Sequence, residues 1–247
     1  DAALMVHPAG VDRRTMDTLA IQRAVVTYTG IAAHAAAAPQ KGRNALDAMV
    51  LGYQSVAALR QHIDDAERVH GIFTEAGDAA NIVPARAVAE WYVRSTTGAG
   101  LAALRERVVT CLVAGADAAG CTVEIDWYEP AYDELIGIDA FDDLYVANAA
   151  RVGRRVERSG DPGVPPLLGS TDMGNVSQAV PSIHPMIAAA PPDVAIHTEA
   201  FVGHARAPEG DRAVLDGAKA LAWTIADLWL VPGALDAITE EHAARTR

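Results

Sequence analysis

Cysteine is scarce in this 247-residue chain, and the scarcity excludes two architectures. Cys111 and Cys121 alone can build neither a disulfide framework nor a four-ligand zinc cluster. Basic residues are outnumbered, 20 Lys plus Arg against 32 Asp plus Glu, leaving a formal charge of −12 with histidine neutral. That balance, with no Lys/Arg cluster, excludes a phosphate-neutralising nucleic-acid surface. No apolar run approaches the ~20 uninterrupted residues of a bilayer-spanning helix. The nucleophile elbow GxSxG, the GxGxxG loop and the Walker loop are missing, as are HxxxH, HxH and CxxC pairs. The expectation is a cytoplasmic globular protein of one large domain or two small ones.

Periodicity then divides the chain. Arg23 to Thr29 is β-branched and stops at Gly30, as a strand does. Asn44 offers an N-cap with Asp47 three residues on, and Ala45, Met49, Val56, Leu59 and Ile63 follow at helical spacing. Arg68–Glu75 reads as a second strand and 85–95 as a third. Leu101, Leu104, Val108 and Leu112 mark a second helix, with Gly120 placed to close it. In CTVEIDWY, Val123, Ile125 and Trp127 alternate with Thr122, Glu124 and Asp126, the pattern of a sheet covered on one side. Strand, helix, strand, strand, helix, strand over residues 19–129 is the ferredoxin-like order.

The flanks differ. Leu4–Val6 reads as a short buried strand, Phe141–Val152 as a helix, and Gly153–Gly169 as a Gly/Pro-rich stretch. GSTDMGNVS precedes an apolar strand at Ile183–Ala190, then a long amphipathic helix over Asp211–Leu230, Pro232 and a charged tail. Residues 1–18 and 130–247 are expected to form parts of one α/β domain into which the central module is inserted. The opening DAALMVHPAG lies inside an apolar run without an initiator Met, so an upstream half is also expected.

Candidate chemistry is dispersed. His7 ends the first strand in MVHPAG, and His197 lies in AIHTEAF beyond a Pro-Pro turn. Two such histidines are fewer than the three or four ligands that zinc requires, and each alone reads as structural. His34 sits among small residues in GIAAHAAAAPQKGRNALDA, Asn81 in a turn, and Arg94 on one strand face with Glu90 and Tyr92. Each of these also has an ordinary structural reading. Ser170, Thr171 and Asp172 in GSTDMGNVS offer hydroxyls and amides suited to a carboxylate or oxyanion, with helix capping by Ser170 or Asp172 the equal alternative.

Taken in order, MVHPAG, GIAAHAAAAPQKGRNALDA, NIVP with WYVRS, GSTDMGNVS and IHTEAF resemble the zinc-dependent amidohydrolases of the aminoacylase and carboxypeptidase peptidase family, which includes hippurate hydrolase. GSTDMGNVS with SIHP is most similar to the Xaa-Arg dipeptidase and aminobenzoyl-glutamate hydrolase branch. The resemblance implies an α/β catalytic domain holding divalent metal, zinc first, with manganese or cobalt compatible. A ferredoxin-like lid would interrupt that domain and make a homodimer. It assigns His7 and His197 to the metal and His34 to the tetrahedral oxyanion. Asn81 and Arg94, with Ser170, Thr171 and Asp172, would bind substrate, an N-acyl amino acid or dipeptide. An Arg fork meets a carboxylate bidentately. The family's bridging ligands and general-base glutamate lie in an upstream segment that this sequence does not contain. The chain alone is therefore expected to bind metal poorly and turn over little. A non-catalytic dimerisation or small-molecule-binding module is the competing expectation.

Overall fold

In the computed structural model, which describes residues 1–165 and 168–246, the chain divides into two compact units. One unit is Asp1–Thr18 with Glu134–Arg247, and the other is Leu19–Asp133. The first begins with three short strands, β1 (Ala3–Leu4), β2 (His7–Ala9) and β3 (Asp17–Thr18).

The Leu19–Asp133 unit runs β4 (Ala20–Thr29), α1 (Ala45–Leu59), β5 (Arg68–Glu75), β6 (Arg86–Ser95), α2 (Gly98–Ala119) and β7 (Thr122–Trp127). Its four strands lie in the order β5-β6-β4-β7, every pair antiparallel. This is the expected βαββαβ sandwich. Residues 130–133 stay with this unit because Ile21 and Tyr132 exchange backbone hydrogen bonds of 2.8 and 3.0 Å.

Local chemistry starts and stops the helices. Asn44 Oδ1 accepts the amides of Leu46 at 2.9 Å and Asp47 at 3.2 Å, satisfying two of the orphan donors at the start of α1. Gly120, at φ 66°, takes the left-handed conformation that ends α2. α1 ends earlier than the apolar spacing predicts: a 3-10 turn over Arg60–His62 intervenes, and Ile63 reaches the core from beyond it.

The core lies between the helices and one face of the sheet. Tyr28, Met49, Val56, Trp91, Leu104, Val108 and Leu112 are all buried there. Tyr28 Oη donates to the Leu112 carbonyl at 3.0 Å, tying β4 to α2. α1 and α2 meet at glycines: a Cβ on Gly115 would lie 2.4 Å from both Ala48 O and Gly52 N.

The other unit adds α3 (Asp139–Arg151), β8 (Leu168–Gly169), α4 (Met173–Ala179), β9 (Ser182–Ile183), β10 (Met186–Ala188), α5 (Glu199–Ala205), α6 (Pro208–Leu230) and α7 (Ala234–Arg245). β1 pairs with β9, β2 with β10 and β3 with β8, all parallel. Two expectations are corrected here. The strand expected at Leu4–Val6 keeps only Leu4, in β1, with Met5 and Val6 lying between β1 and β2, and the one expected at Ile183–Ala190 is divided between β9 and β10, because Pro185 has no N–H to return to the opposite strand. Met5 and His7 instead donate to Ile183 O and Pro185 O at 3.1 and 2.9 Å. The charged tail after Pro232 is the helix α7, and its Ile238 is fully buried against Ile138 and Phe141. Within the Gly/Pro-rich stretch, residues 166 and 167 lie outside the described residues.

Arg154 ties this unit together. Its guanidinium reaches Asp216 at 2.9 Å, Asp12 at 3.4 Å and the Ala188 carbonyl at 2.8 Å.

The glycine contact gives a stability test. Gly115→Val forces α1 and α2 apart and is expected to lower unfolding free energy by about 2 kcal/mol or more, read from urea denaturation. An unchanged midpoint would show that the helices do not meet there.

Candidate functional site

His7 opens β2, with Met186 as its cross-strand partner. Its Nδ1 lies 2.9 Å from the Pro8 carbonyl. A carbonyl can only accept, so Nδ1 carries the proton and Nε2 keeps its lone pair. This is the tautomer that a metal-ligating histidine with a backbone partner adopts.

Beside it stands a histidine that sequence reasoning passed over as a site residue. His184 lies between β9 and β10, its ring centre 5.7 Å from that of His7 and tilted by 60°. The ring is 1% exposed, and neither nitrogen has a hydrogen-bond partner. Burial, reinforced by His7 and opposed by Asp172, lowers its pKa to about 4, so it is neutral at pH 7. The available signal was SIHP facing MVHP: two apolar segments each carrying His-Pro, which the parallel register sets side by side.

A hydrogen-bonded relay holds this segment. The His184 amide donates to Thr15 Oγ1 at 2.9 Å, and that hydroxyl donates to Asp142 Oδ1 at 2.7 Å. Burial raises the Asp142 pKa to about 6, against the opposing Thr15 hydrogen bonds and Arg14.

His197 is exposed and sits at φ 64°, the left-handed region that a non-glycine residue occupies at a cost. The next residue, Thr198, caps α5 by accepting the Phe201 amide at 3.3 Å. Among the described residues, no group of three or more His, Cys, Asp or Glu side chains could hold a metal ion.

In GSTDMGNVS, Asp172 occupies the N-cap position of α4, but its side chain makes no capping bond. Thr171 Oγ1 instead accepts the Met173 amide at 3.3 Å. Ser170 and Thr171 are half-buried and Asp172 is exposed. Ser177, in the same segment, is structural: its hydroxyl donates to Gly174 O at 2.7 Å and accepts the Ile136 amide at 2.9 Å.

In the Leu19–Asp133 unit, the structure brings His34 and Asn81 together. Ala35 N donates to Asn81 O at 3.0 Å, and Val83 N to Ala33 O at 2.9 Å, zipping the two loops. His34 Nδ1 accepts the amides of Ala37 at 3.1 Å and Ala36 at 3.3 Å. An Nδ1 that accepts leaves the proton of the neutral ring on Nε2, a donor on an exposed side chain.

Arg94 is elsewhere. It faces the open side of the sheet, half-buried, with Ile21 and Arg68 as cross-strand neighbours. Burial lowers its pKa, with Tyr92 opposing. Glu90, on the same face, pairs with Arg23 at 2.6 Å. Asn81 precedes β6 and Gly30, at the start of the His34 loop, bonds to Ala85 beside the Arg86 end of that strand, whereas Arg94 lies eight residues further along it, a rise of roughly 27 Å at about 3.4 Å per residue.

The architecture is thus an antiparallel open-faced module interrupting a parallel-stranded α/β unit, with histidines at strand ends and loops. Residues 20–119 match the peptidase dimerisation domain. Over 245 residues the chain is 35% identical to Xaa-Arg dipeptidase of Mus musculus, covering 99% of this chain and 56% of that protein. Over 126 residues it is 36% identical to a p-aminobenzoyl-glutamate hydrolase polypeptide of Escherichia coli K12, covering 50% of this chain and 26% of that one. The aminobenzoyl-glutamate utilization protein of Klebsiella pneumoniae shares the fold, with TM-score 0.63 and 23% identity over 90% of this chain and 55% of that one. So does a Bacillus subtilis dinuclear metal binding peptidase of the M20 family, with TM-score 0.59 and 16% identity over 92% and 57%. The chain is similar to peptidases of the M20 family, and it spans about half the length of the curated relatives it matches.

Two measurements check the local chemistry. Nitrogen-15 NMR at pH 8 should find His34 protonated on Nε2 and His7 on Nδ1; the same tautomer in both rings would contradict the assignments. For Asp142 the folded pKa lies above the unfolded one, so the stability tied to its protonated form is lost as pH rises through about 6. Asp142→Asn should therefore stabilise the protein at pH 8, by up to about 3 kcal/mol, and the gain should vanish below about pH 4. A pH-independent effect would show that burial does not control this carboxyl.

Proposed function

We propose that the protein is a metal-dependent amidohydrolase or dipeptidase acting on an N-acyl amino acid or dipeptide, working as a homodimer through Leu19–Asp133. The observation that carries this reading is the opposite wiring of two histidines. His7 has its Nδ1 committed to Pro8 and a lone pair left over, as a cation ligand needs. His34 has its Nδ1 committed to two amides and an N–H left over, as an oxyanion donor needs.

In this reading His7 and His197 hold a divalent cation together with ligands beyond this chain. Zinc is the first choice, and imidazole and carboxylate ligands also accept manganese or cobalt. When bound, such a cation supplies Lewis acidity and makes water a nucleophile near neutral pH. Arg94 clamps the substrate carboxylate through its planar fork, and Asn81 offers its amide alongside. Ser170, Thr171 and Asp172 orient the polar backbone of the substrate. The His34 Nε2–H stabilises the oxyanion that forms at the amide carbon. The relatives named Xaa-Arg dipeptidase and p-aminobenzoyl-glutamate hydrolase support the substrate class.

Two features support dimerisation. Within one copy the His34 loop is paired with Ile82, before the start of β6, while Arg94 lies near the other end of that strand, so His34 and Arg94 are proposed to act on one substrate from different copies. A second copy supplies the missing partner. Among the described residues β5 is also an edge of its sheet, with Ile72 63% and Phe73 41% exposed, an apolar edge that proteins cover by pairing.

The protein expressed from its complete reading frame should cleave N-acyl amino acids or dipeptides only when loaded with divalent metal, and sediment as a dimer. His34→Ala should lower kcat by roughly 10²- to 10³-fold with little change in KM, the cost of losing one oxyanion donor. His197→Ala should weaken metal binding and lower activity. A full-length protein that binds no divalent cation would overturn the reading.

A further inference from the structure

His184 is a buried ionisable side chain that the proposed reaction leaves unused. Both of its ring nitrogens lack a partner and are sealed from solvent. A polar group in that state demands an explanation, and an ion is one that fits here. Its ring neighbour is His7, at 5.7 Å between centres, and Nε2 is the uncommitted nitrogen of His7. Two imidazoles sharing one tetrahedral cation, with metal–nitrogen distances of about 2.0–2.1 Å, have ring centres about 5 Å apart. The observed spacing is close to that span. The support is also rigid: Thr15, itself fixed by Asp142, holds the His184 amide, and Pro185 fixes the chain just beyond.

We propose that His7 and His184 form a two-imidazole site for one divalent cation, completed by oxygen ligands. The inference rests on His7 being a metal ligand, and it adds a ligand that the family resemblance does not supply. It also accounts for the pairing of two His-Pro segments across neighbouring parallel strands. A single histidine ligand would not require the second ring to be buried beside it without hydrogen bonds.

The test titrates the chain with Co²⁺ and follows the imidazole signals by NMR. The His7 and His184 ring signals should broaden together, at the same cation concentration. His184→Gln should weaken Co²⁺ binding by at least about tenfold with an unchanged circular dichroism spectrum, and His197→Ala should weaken it less. If His7 responds while His184 does not, the pair is refuted and the His7–His197 reading stands. The same holds if His197→Ala abolishes binding that His184→Gln leaves intact. If neither ring responds, both readings fail. Should His184→Gln not fold, the signals of the unmutated chain decide.

Discussion

Parallel backbone pairing between the first nine residues and residues 181–189 is the constraint on which the site-bearing unit depends. Parallel strands need a long crossover, because no tight turn can reverse the chain twice. Here the crossover contains a whole folded module, Leu19–Asp133. Loop closure grows only logarithmically with length, so an insertion of this size costs little more than a short one. Its return is positional: the ends of β2 and β9 place His7 beside His184. Arg154, with Asp12 on one segment and Asp216 on another, supplies a second clasp across the same unit.

Proline sets the fine geometry of that pairing. Pro185 interrupts the ladder and separates β9 from β10, which frees His184 from strand alternation and turns its ring inward. Strand interruptions of this kind are where side chains can be re-aimed. The buried Asp142, accepting from the Thr15 hydroxyl, is the polar cost of holding that segment, and its raised pKa reflects the burial.

The central module was the most legible part of the sequence, since its signals are local. Asn44 caps, Gly120 terminates, and the alternation in Thr122–Trp127 fixes one face of the sheet. The close meeting of Gly52 and Gly115 left no periodic trace, because it arises only when the two helices cross. The flanking unit read less well. Its strands are two or three residues long, below the length at which periodicity registers, and their partners are far away in sequence. Of the candidate residues, His7, His34, Asn81, Arg94 and His197 were visible through motif order, whereas their wiring was not. Tautomers depend on which backbone atoms a fold delivers to each ring, and His184 gained significance only once its ring was found beside that of His7.

Native-state hydrogen exchange tests the central claim most directly. If residues 1–9 complete the unit, the amides of Met5 and His7 should exchange as slowly as that of Ala189 and open together with the core around Phe141. Exchange of Met5 and His7 at the rate of an unstructured terminus, with the Phe141 region still protected, would contradict the pairing on which the account of the site is built.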